Sequence, residues 1–284
     1  MDSRITPPKK IPKYSTKQPK FEWMDGMLPA RWLACASSGS GKTVAIVNLL
    51  TNHFTTKGGD SVFDRIYLWS PTAFSDRNWD PVDELIRKRM RLSSDEDWRS
   101  DNWDPSELQR ILAKQKNVIG VQKLRFDAKK PPGGQLKSVM IVIDDFAARK
   151  DVLHSDNNVV AQLFFHGRHS NVSCIVATQS IKSVSRPIRL NCTGFLLWRV
   201  KNYTEYQVAE EEVSNLVDRK TFRAIYDKVT GESRHDFLFL DLQADDRNTT
   251  FYKNLNERVV FPDDSTDEVG GMNESGATDE EGVR

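Results

Sequence analysis

Short apolar runs alternate with segments of helical period through the middle of the chain, and polar stretches without periodicity bracket them. Trp32–Ala36 reads as a short strand and Lys42–His53 as a helix. Ile66–Ser70 is a second strand, and Pro105–Gln115 is a helix with Pro105 near its start. Val139–Ile143 is a run of five apolar residues, the pattern of a strand covered on both faces. Asn157–His166 is helical, Val172–Thr178 and Gly194–Val200 are strands, and Thr204–Val217 and Lys220–Val229 are helices. Phe237–Leu240 is a late strand. Strands that alternate with helices predict an α/β fold with a mostly parallel sheet covered by helices.

Between these elements lie two irregular regions. Residues 71–104 are rich in Asp, Trp, Arg and Ser and read as an insertion, with a helix near Pro81–Arg91. Residues 126–137 contain Lys129-Lys130-Pro131-Pro132-Gly133-Gly134, a loop signal. Residues 1–27 hold Pro7, Pro8, Pro12 and Pro19 and read as an extended, disordered arm. The stretch after Pro262 is rich in Gly, Ser, Asp and Glu and reads as a disordered tail. The folded body is therefore expected over about residues 28–261.

Charge sharpens this division. The chain carries a net charge of +1. Residues 1–20 contribute +5, from Arg4 and five lysines against Asp2. Residues 262–284 contribute −7. The basic arm suits phosphates or an acidic partner, and equally suits plain solvation. No apolar run approaches the roughly 20 residues that span a bilayer, so no membrane span is expected. Cys35, Cys174 and Cys192 are odd in number and scattered in apolar runs, which argues for buried thiols in a reducing, intracellular setting.

The chemistry concentrates in three places. The first is Ala36-Ser37-Ser38-Gly39-Ser40-Gly41-Lys42-Thr43, set between a strand and a helix. A phosphate loop needs that context. Its small residues let backbone N–H groups wrap a triphosphate at a helix N-terminus. Gly39 and Gly41 supply backbone freedom. Lys42 is expected on the outer phosphates of ATP and the Thr43 hydroxyl on Mg²⁺. The usual pattern begins with Gly where this chain has Ala36, which fits if the local φ is negative.

The second place is Val139-Met140-Ile141-Val142-Ile143-Asp144-Asp145. A buried strand that ends in acids would bring Asp144 beside the phosphate-loop strand to hold Mg²⁺ through water. Asp145 would orient the attacking water. Adjacent carboxylates repel and shift one another's protonation unless a cation is present. The third place is Gln179, at the carboxyl end of Val172–Thr178, where ligands of open parallel sheets bind. It is suited to sensing a γ-phosphate. A strand between the phosphate loop and Asp144 fits ATPases with an inserted strand better than kinases.

These elements resemble the genome-packaging ATPases of large DNA viruses and virophages, the poxvirus-type branch of the FtsK/HerA superfamily. The matching residues are Ala36–Thr43, Ile141–Asp145, Gly167-Arg168-His169, Ser173, Ala177-Thr178-Gln179-Ser180 and the Ser183–Asn191 stretch. Phe237–Leu240 and Phe251–Asn254 match more loosely, and the resemblance covers about residues 30–255. It implies a P-loop NTPase fold of the RecA-like ASCE type, a three-layer αβα sandwich. It also implies a homo-oligomeric ring, pentamer or hexamer, that threads double-stranded DNA into a preformed capsid at the expense of ATP.

By position the resemblance makes Lys42, Asp145 and Gln179 catalytic, with Asp145 where many relatives carry Glu. It implies capsid proteins as partners, and residence in the virion or inside the host cell, in cytoplasm, viral factory or nucleus. An arginine from a neighbouring subunit is expected to stabilise transition-state charge. Arg189 is the leading candidate, with Arg168 and Arg186 as alternatives.

Some residues stay open to two readings. Trp69, Trp79, Trp98 and Trp103 could stack on bases, but packing of the insertion onto the body is the favoured reading. Lys129-Lys130 and Arg149-Lys150 are candidate DNA-contacting loops. His166 and His169 lack a third metal ligand. The alternatives to a packaging motor are a helicase-like or DNA-transfer ATPase, and a nucleotide-binding scaffold without turnover.

Overall fold

The computed structural model describes residues 14–259 except 94–95, 130–132, 147–149, 157, 215 and 245–248. The expected acidic tail, residues 1–13 of the basic arm, Lys130 and Arg149 lie outside the described residues, as does the Lys150 side chain.

In chain order the elements are β1 (Tyr14–Ser15), β2 (Arg31–Cys35), α1 (Lys42–Asn48), β3 (Arg65–Trp69), α2 (Asp80–Arg89), β4 (Arg99–Ser100) and α3 (Pro105–Asp127). Then follow β5 (Gly134–Gln135), β6 (Val139–Asp144), α4 (Lys150–Leu153), α5 (Val159–His166), β7 (Val172–Thr178) and α6 (Arg186–Leu190). The last are β8 (Gly194–Trp198), α7 (Tyr203–Glu212), α8 (Arg219–Gly231), β9 (Phe237–Asp241), β10 (Phe251–Lys253) and β11 (Glu257–Arg258).

Among the described residues a nine-stranded sheet runs in the order β11-β10-β9-β8-β2-β7-β6-β3-β4. The strands from β8 to β4 pair in parallel. β9, β10 and β11 add an antiparallel meander at one edge. This is an α/β fold with a mostly parallel central sheet. Successive strand residues point to opposite faces, and here each face has its own core. Leu33, Ile141, Ile143, Cys174, Val176, Phe195 and Leu238 face a layer containing α3 and α5 to α8. Trp32, Ile66, Met140, Val142, Ile175, Leu196 and Phe239 face α1, α2 and the 24–30 segment.

Local chemistry starts the helices where the pattern expects them. Asp104 accepts from Ser106 N, with Pro105 in the first turn of α3. Asn158 caps α5 and Asp218 caps α8 in the same way. The tryptophans in and beside the 71–104 region pack in the core. Trp69, Trp79, Trp98 and Trp103 are all buried, and Trp69 meets Trp103 edge-on at 5.9 Å.

Four expectations need correction. The strand that ends in Asp144 does not adjoin the phosphate-loop strand, because β7 lies between β6 and β2. α3 runs to Asp127, twelve residues past the expected end at Gln115. It continues because Gln115 and Ile119 keep the helix against the body, and Gln115 Nε2 donates to Lys137 O and Ser170 O. α7 stops at Glu212 rather than Val217. Finally, residues 14–27 belong with the body, not with an extended arm. Met24 and Met27 are buried, and Trp23 packs on Tyr252 at 5.0 Å, so apolar burial holds this segment.

Candidate functional site

β2 ends at Cys35 and hands the chain to a tight turn before α1. Gly39 (φ +74°) and Gly41 (φ +90°) occupy left-handed backbone that a side chain would strain. Ala36 is outside that region, is fully buried and donates its N–H to Thr178 O at 3.1 Å. Alanine is therefore tolerated where the usual pattern has glycine. Ser37, Ser38 and Ser40 complete the turn, and Ser40 N reaches Ser37 O at 3.3 Å.

Lys42 and Thr43 open α1 and meet the two acids. Lys42 Nζ lies 2.6 Å from Asp145 Oδ1 and 3.6 Å from Asp144 Oδ1. Thr43 Oγ1 donates to Asp144 Oδ2 at 3.2 Å. Although β7 intervenes, the Asp144 carboxylate reaches across the end of that strand to α1. Asp144 is 2% exposed, and its Oδ1 has no hydrogen-bond partner. Burial pushes its carboxyl up to about 6, reinforced by the Asp145 charge and opposed by Lys42.

Asp145 sits just past β6 with φ +59°, a left-handed conformation that Asp tolerates better than most residues. Its N–H is held by Ala177 O at 3.2 Å. Its side chain is more exposed than that of Asp144 and turns back onto Lys42. Gln179 Nε2 donates to Asp145 Oδ1 at 3.3 Å. Thus Lys42, Thr43, Asp144, Asp145 and Gln179, spread over 138 positions, converge at one end of the sheet.

The candidate arginines behave differently from one another. Arg189 is held inside the chain. Its Nε lies 2.6 Å from Glu212 Oε1, with side chains only 15% and 11% exposed, and Nη1 donates to Val184 O. Arg189 would have to give up these contacts to reach a neighbouring subunit. Arg168 and Arg186 are exposed.

Two neighbours of the phosphate loop escaped the sequence reading. Arg234 Nη2 donates to Gly39 O, and His235 Nδ1 lies 3.3 Å from Ser40 O. They come from a turn 195 residues away, and no local pattern marks them. A further residue without a local sequence signal is Glu205 on α7, beside the turn after Gln179. Its carboxylate accepts from Ser180 Oγ at 2.7 Å, Ile181 N at 2.7 Å and Lys182 N at 3.2 Å, fixing the turn that follows Gln179. A capping-type carboxylate is visible in sequence only as one more helix-surface Glu.

No protein-family model matches the chain. It is similar to an uncharacterised protein, 015R, of Frog virus 3 (isolate Goorha), with 24% identity over 118 residues. That match spans 42% of this chain and 36% of the relative's length. Among solved structures it is similar to the genome-packaging NTPase B204 of Sulfolobus turreted icosahedral virus 2 in complex with AMP. The identity is 11% and the TM-score 0.49, over 82% of this chain and 99% of that one. It is also similar to EssC (ATPases 2 and 3) of Geobacillus thermodenitrificans, with 14% identity and a TM-score of 0.44 over 67% of this chain and 34% of that one. A further similarity is to the pCW3 conjugation coupling protein TcpA with bound ATPγS, with 15% identity and a TM-score of 0.45, over 76% and 59% of the two chains.

Proposed function

We propose that this chain is an ATP-hydrolysing motor that moves double-stranded DNA, and that its task is to drive a viral genome into a preformed capsid. The observation that carries the hydrolytic part is the meeting of Lys42, Thr43, Asp144, Asp145 and Gln179 at one loop. The packaging part rests on the Gly167-Arg168-His169 and Thr178-Gln179-Ser180 block, which resembles that branch.

The residues suit Mg·ATP. Gly39 and Gly41 form a cradle without side chains, and the buried Asp144 Oδ1, which has no hydrogen bond and only the 3.6 Å ion pair to Lys42, is an anionic oxygen suited to a divalent cation or its water shell. Thr43 and Asp144 would hold the metal. When bound, Mg²⁺ neutralises charge on the phosphate oxygens.

The chain's own residues then do the following. Backbone N–H groups of residues 38–43 and the N-terminus of α1 hold the phosphates. Lys42 leaves Asp145 for a phosphate oxygen and stabilises charge that builds on it. Asp145, released, accepts a hydrogen bond from the attacking water and takes its proton as the P–O bond to ADP breaks. Gln179, already bonded to Asp145, holds that carboxylate in line and reads whether the terminal phosphate is present.

We further assign the chain to a homo-oligomeric ring, pentameric or hexameric, with an arginine from the next subunit completing the site. Arg168 and Arg186 fit that role by exposure. Capsid proteins are its other partners, and the virion or the infected cell is its location. Among the described residues no helix is long and apolar enough to cross a membrane.

ATPase assays with duplex DNA, single-stranded DNA and no DNA test this reading. A motor on duplex gives turnover that duplex stimulates and Lys42→Ala abolishes. Preference for single strands or forks would indicate a helicase-like enzyme instead. Binding without turnover would indicate a scaffold.

A further inference from the structure

α8 ends at Gly231 and β9 begins at Phe237, and the turn between them lies across the phosphate loop. Arg234 bonds the Gly39 carbonyl and His235 approaches the Ser40 carbonyl. The fit is tight. A Cβ on Gly39 would meet Arg234 Nη2 at 2.8 Å, and one on Gly41 would meet His235 Nδ1 at 3.3 Å.

The turn is braced from behind. Trp198 Nε1 donates to His235 O at 3.1 Å. Asn254 Nδ2 donates to Asp236 Oδ1 at 2.7 Å, while Asn254 Oδ1 accepts from Phe237 N at 2.9 Å. Lys253 pairs with Asp236 at 3.5 Å and with Glu232. Asn254 (φ +50°) and Leu255 (φ +65°) are successive non-glycine residues in left-handed backbone. They are the two central residues of the β10–β11 hairpin turn, closed by Asn256 N to Lys253 O at 3.0 Å, and that turn sets both in left-handed backbone beside the brace.

Beside this turn opens a cleft of about 540 Å³. Val44, Asn48, His235, Asp236, Leu255 and Asn256 are among its lining residues. Gly41 is among its lining residues, so the cleft abuts the phosphate loop. Val44 is 54% exposed on the first turn of α1, an apolar side chain left open two residues after Lys42. The volume suits a small organic ligand, and apolar surface with a few amide and imidazole groups suits the face and edge of a heteroaromatic ring. A larger groove of about 660 Å³ between α1 and α2 shares Val44 and Asn48 but is lined by no residue of the 36–43 loop.

We propose that the smaller cleft receives the base and ribose of the nucleotide, and that Arg234 is a clasp on the same ligand. This rests on the phosphate-loop reading. As the phosphate chain enters, the Arg234 guanidinium exchanges the neutral Gly39 carbonyl for anionic phosphate oxygens, a stronger and bidentate partner. His235 forms the wall against the base. The bracing by Trp198, Lys253 and Asn254 keeps both side chains at the loop before the ligand arrives.

Photolabelling with 8-azido-ATP and Mg²⁺, followed by peptide mapping, tests the cleft. Label is expected on peptides covering residues 235–237 or 254–256, and excess ATP should prevent it. Label on residues 81–89, or on any surface away from the cleft, overturns the proposal while leaving the phosphate-loop reading intact. Arg234→Ala tests the clasp. Arg234 is exposed, so this variant should keep its melting temperature, and ATP affinity should fall by about tenfold or more. Unchanged affinity refutes the clasp. If the wild-type chain shows no saturable binding, or if Lys42→Ala binds equally well, the phosphate-loop reading fails and this inference falls with it.

Discussion

Lys42 and Asp145 are joined by a 2.6 Å ion pair at the end of the sheet. Asp145, the acid next to the buried Asp144, therefore competes with any approaching phosphate for Lys42. On the proposed reaction, nucleotide binding trades this pair for a Lys42–phosphate contact, and that trade frees Asp145 for the water.

The first prediction follows from the trade. Asp145→Asn removes the competitor and the proton acceptor together. Turnover should fall by about 100-fold or more. ATP affinity should stay the same or rise, because Lys42 is no longer held. Weaker binding with intact turnover would show that the pair has no part in the reaction.

Asp144 gives a pH-dependent prediction. Burial raises its carboxyl to about 6 in the folded chain, against about 4 when unfolded. The folded state binds that proton more tightly, so without divalent cations stability is lost as pH rises from about 4 through about 6. Asp144→Asn removes this dependence. Melting curves from acid to neutral pH should show the variant less pH-dependent, and above pH 6 more stable, than wild type. A variant less stable than wild type above pH 6 would mean that the attraction of Lys42 outweighs burial.

Glu205 should act on the reaction through Gln179. Glu205→Ala releases Ser180 Oγ, Ile181 N and Lys182 N from one carboxylate. Misplacing the Gln179 turn should lower kcat by about tenfold or more while KM stays nearly constant. Glu205→Gln keeps an acceptor and should recover part of the loss. A rise in KM at unchanged kcat would place Glu205 in binding instead.

Arg189 and the exposed arginines should separate cleanly. Arg189→Ala leaves Glu212 nearly buried and unpaired, which should lower stability by about 2–4 kcal/mol. Arg168→Ala and Arg186→Ala should stay within about 0.5 kcal/mol of wild type. If Arg168 or Arg186 completes a neighbour's site, its loss should reduce turnover of the assembled protein without changing the melting temperature. An unaffected melting temperature for Arg189→Ala would contradict the internal role assigned here.

What was legible in the sequence was local. The 36–43 loop is a contiguous run whose glycines, lysine and threonine carry their signal in backbone geometry and a helix terminus. The buried strand before Asp144 was legible because five consecutive apolar residues leave few other solutions. Sheet order was not, since β7 enters between β6 and β2 only through long-range pairing. The full length of α3 is not legible, because the residues after Gln115 show little apolar periodicity and include Gly120, although Ile119 anchors that turn. Burial of Met24 and Met27 was hidden by surrounding prolines and lysines. Arg234, His235 and Glu205 act through contacts between distant segments, for which a single sequence has no local signal.

Calorimetric titration of the chain with Mg·ATP tests the central claim most directly. The arrangement of Lys42, Thr43 and Asp144 predicts saturable binding that Lys42→Ala abolishes and that weakens when Mg²⁺ is withheld. Absence of heat from a folded sample, or the same isotherm for Lys42→Ala as for wild type, would contradict it.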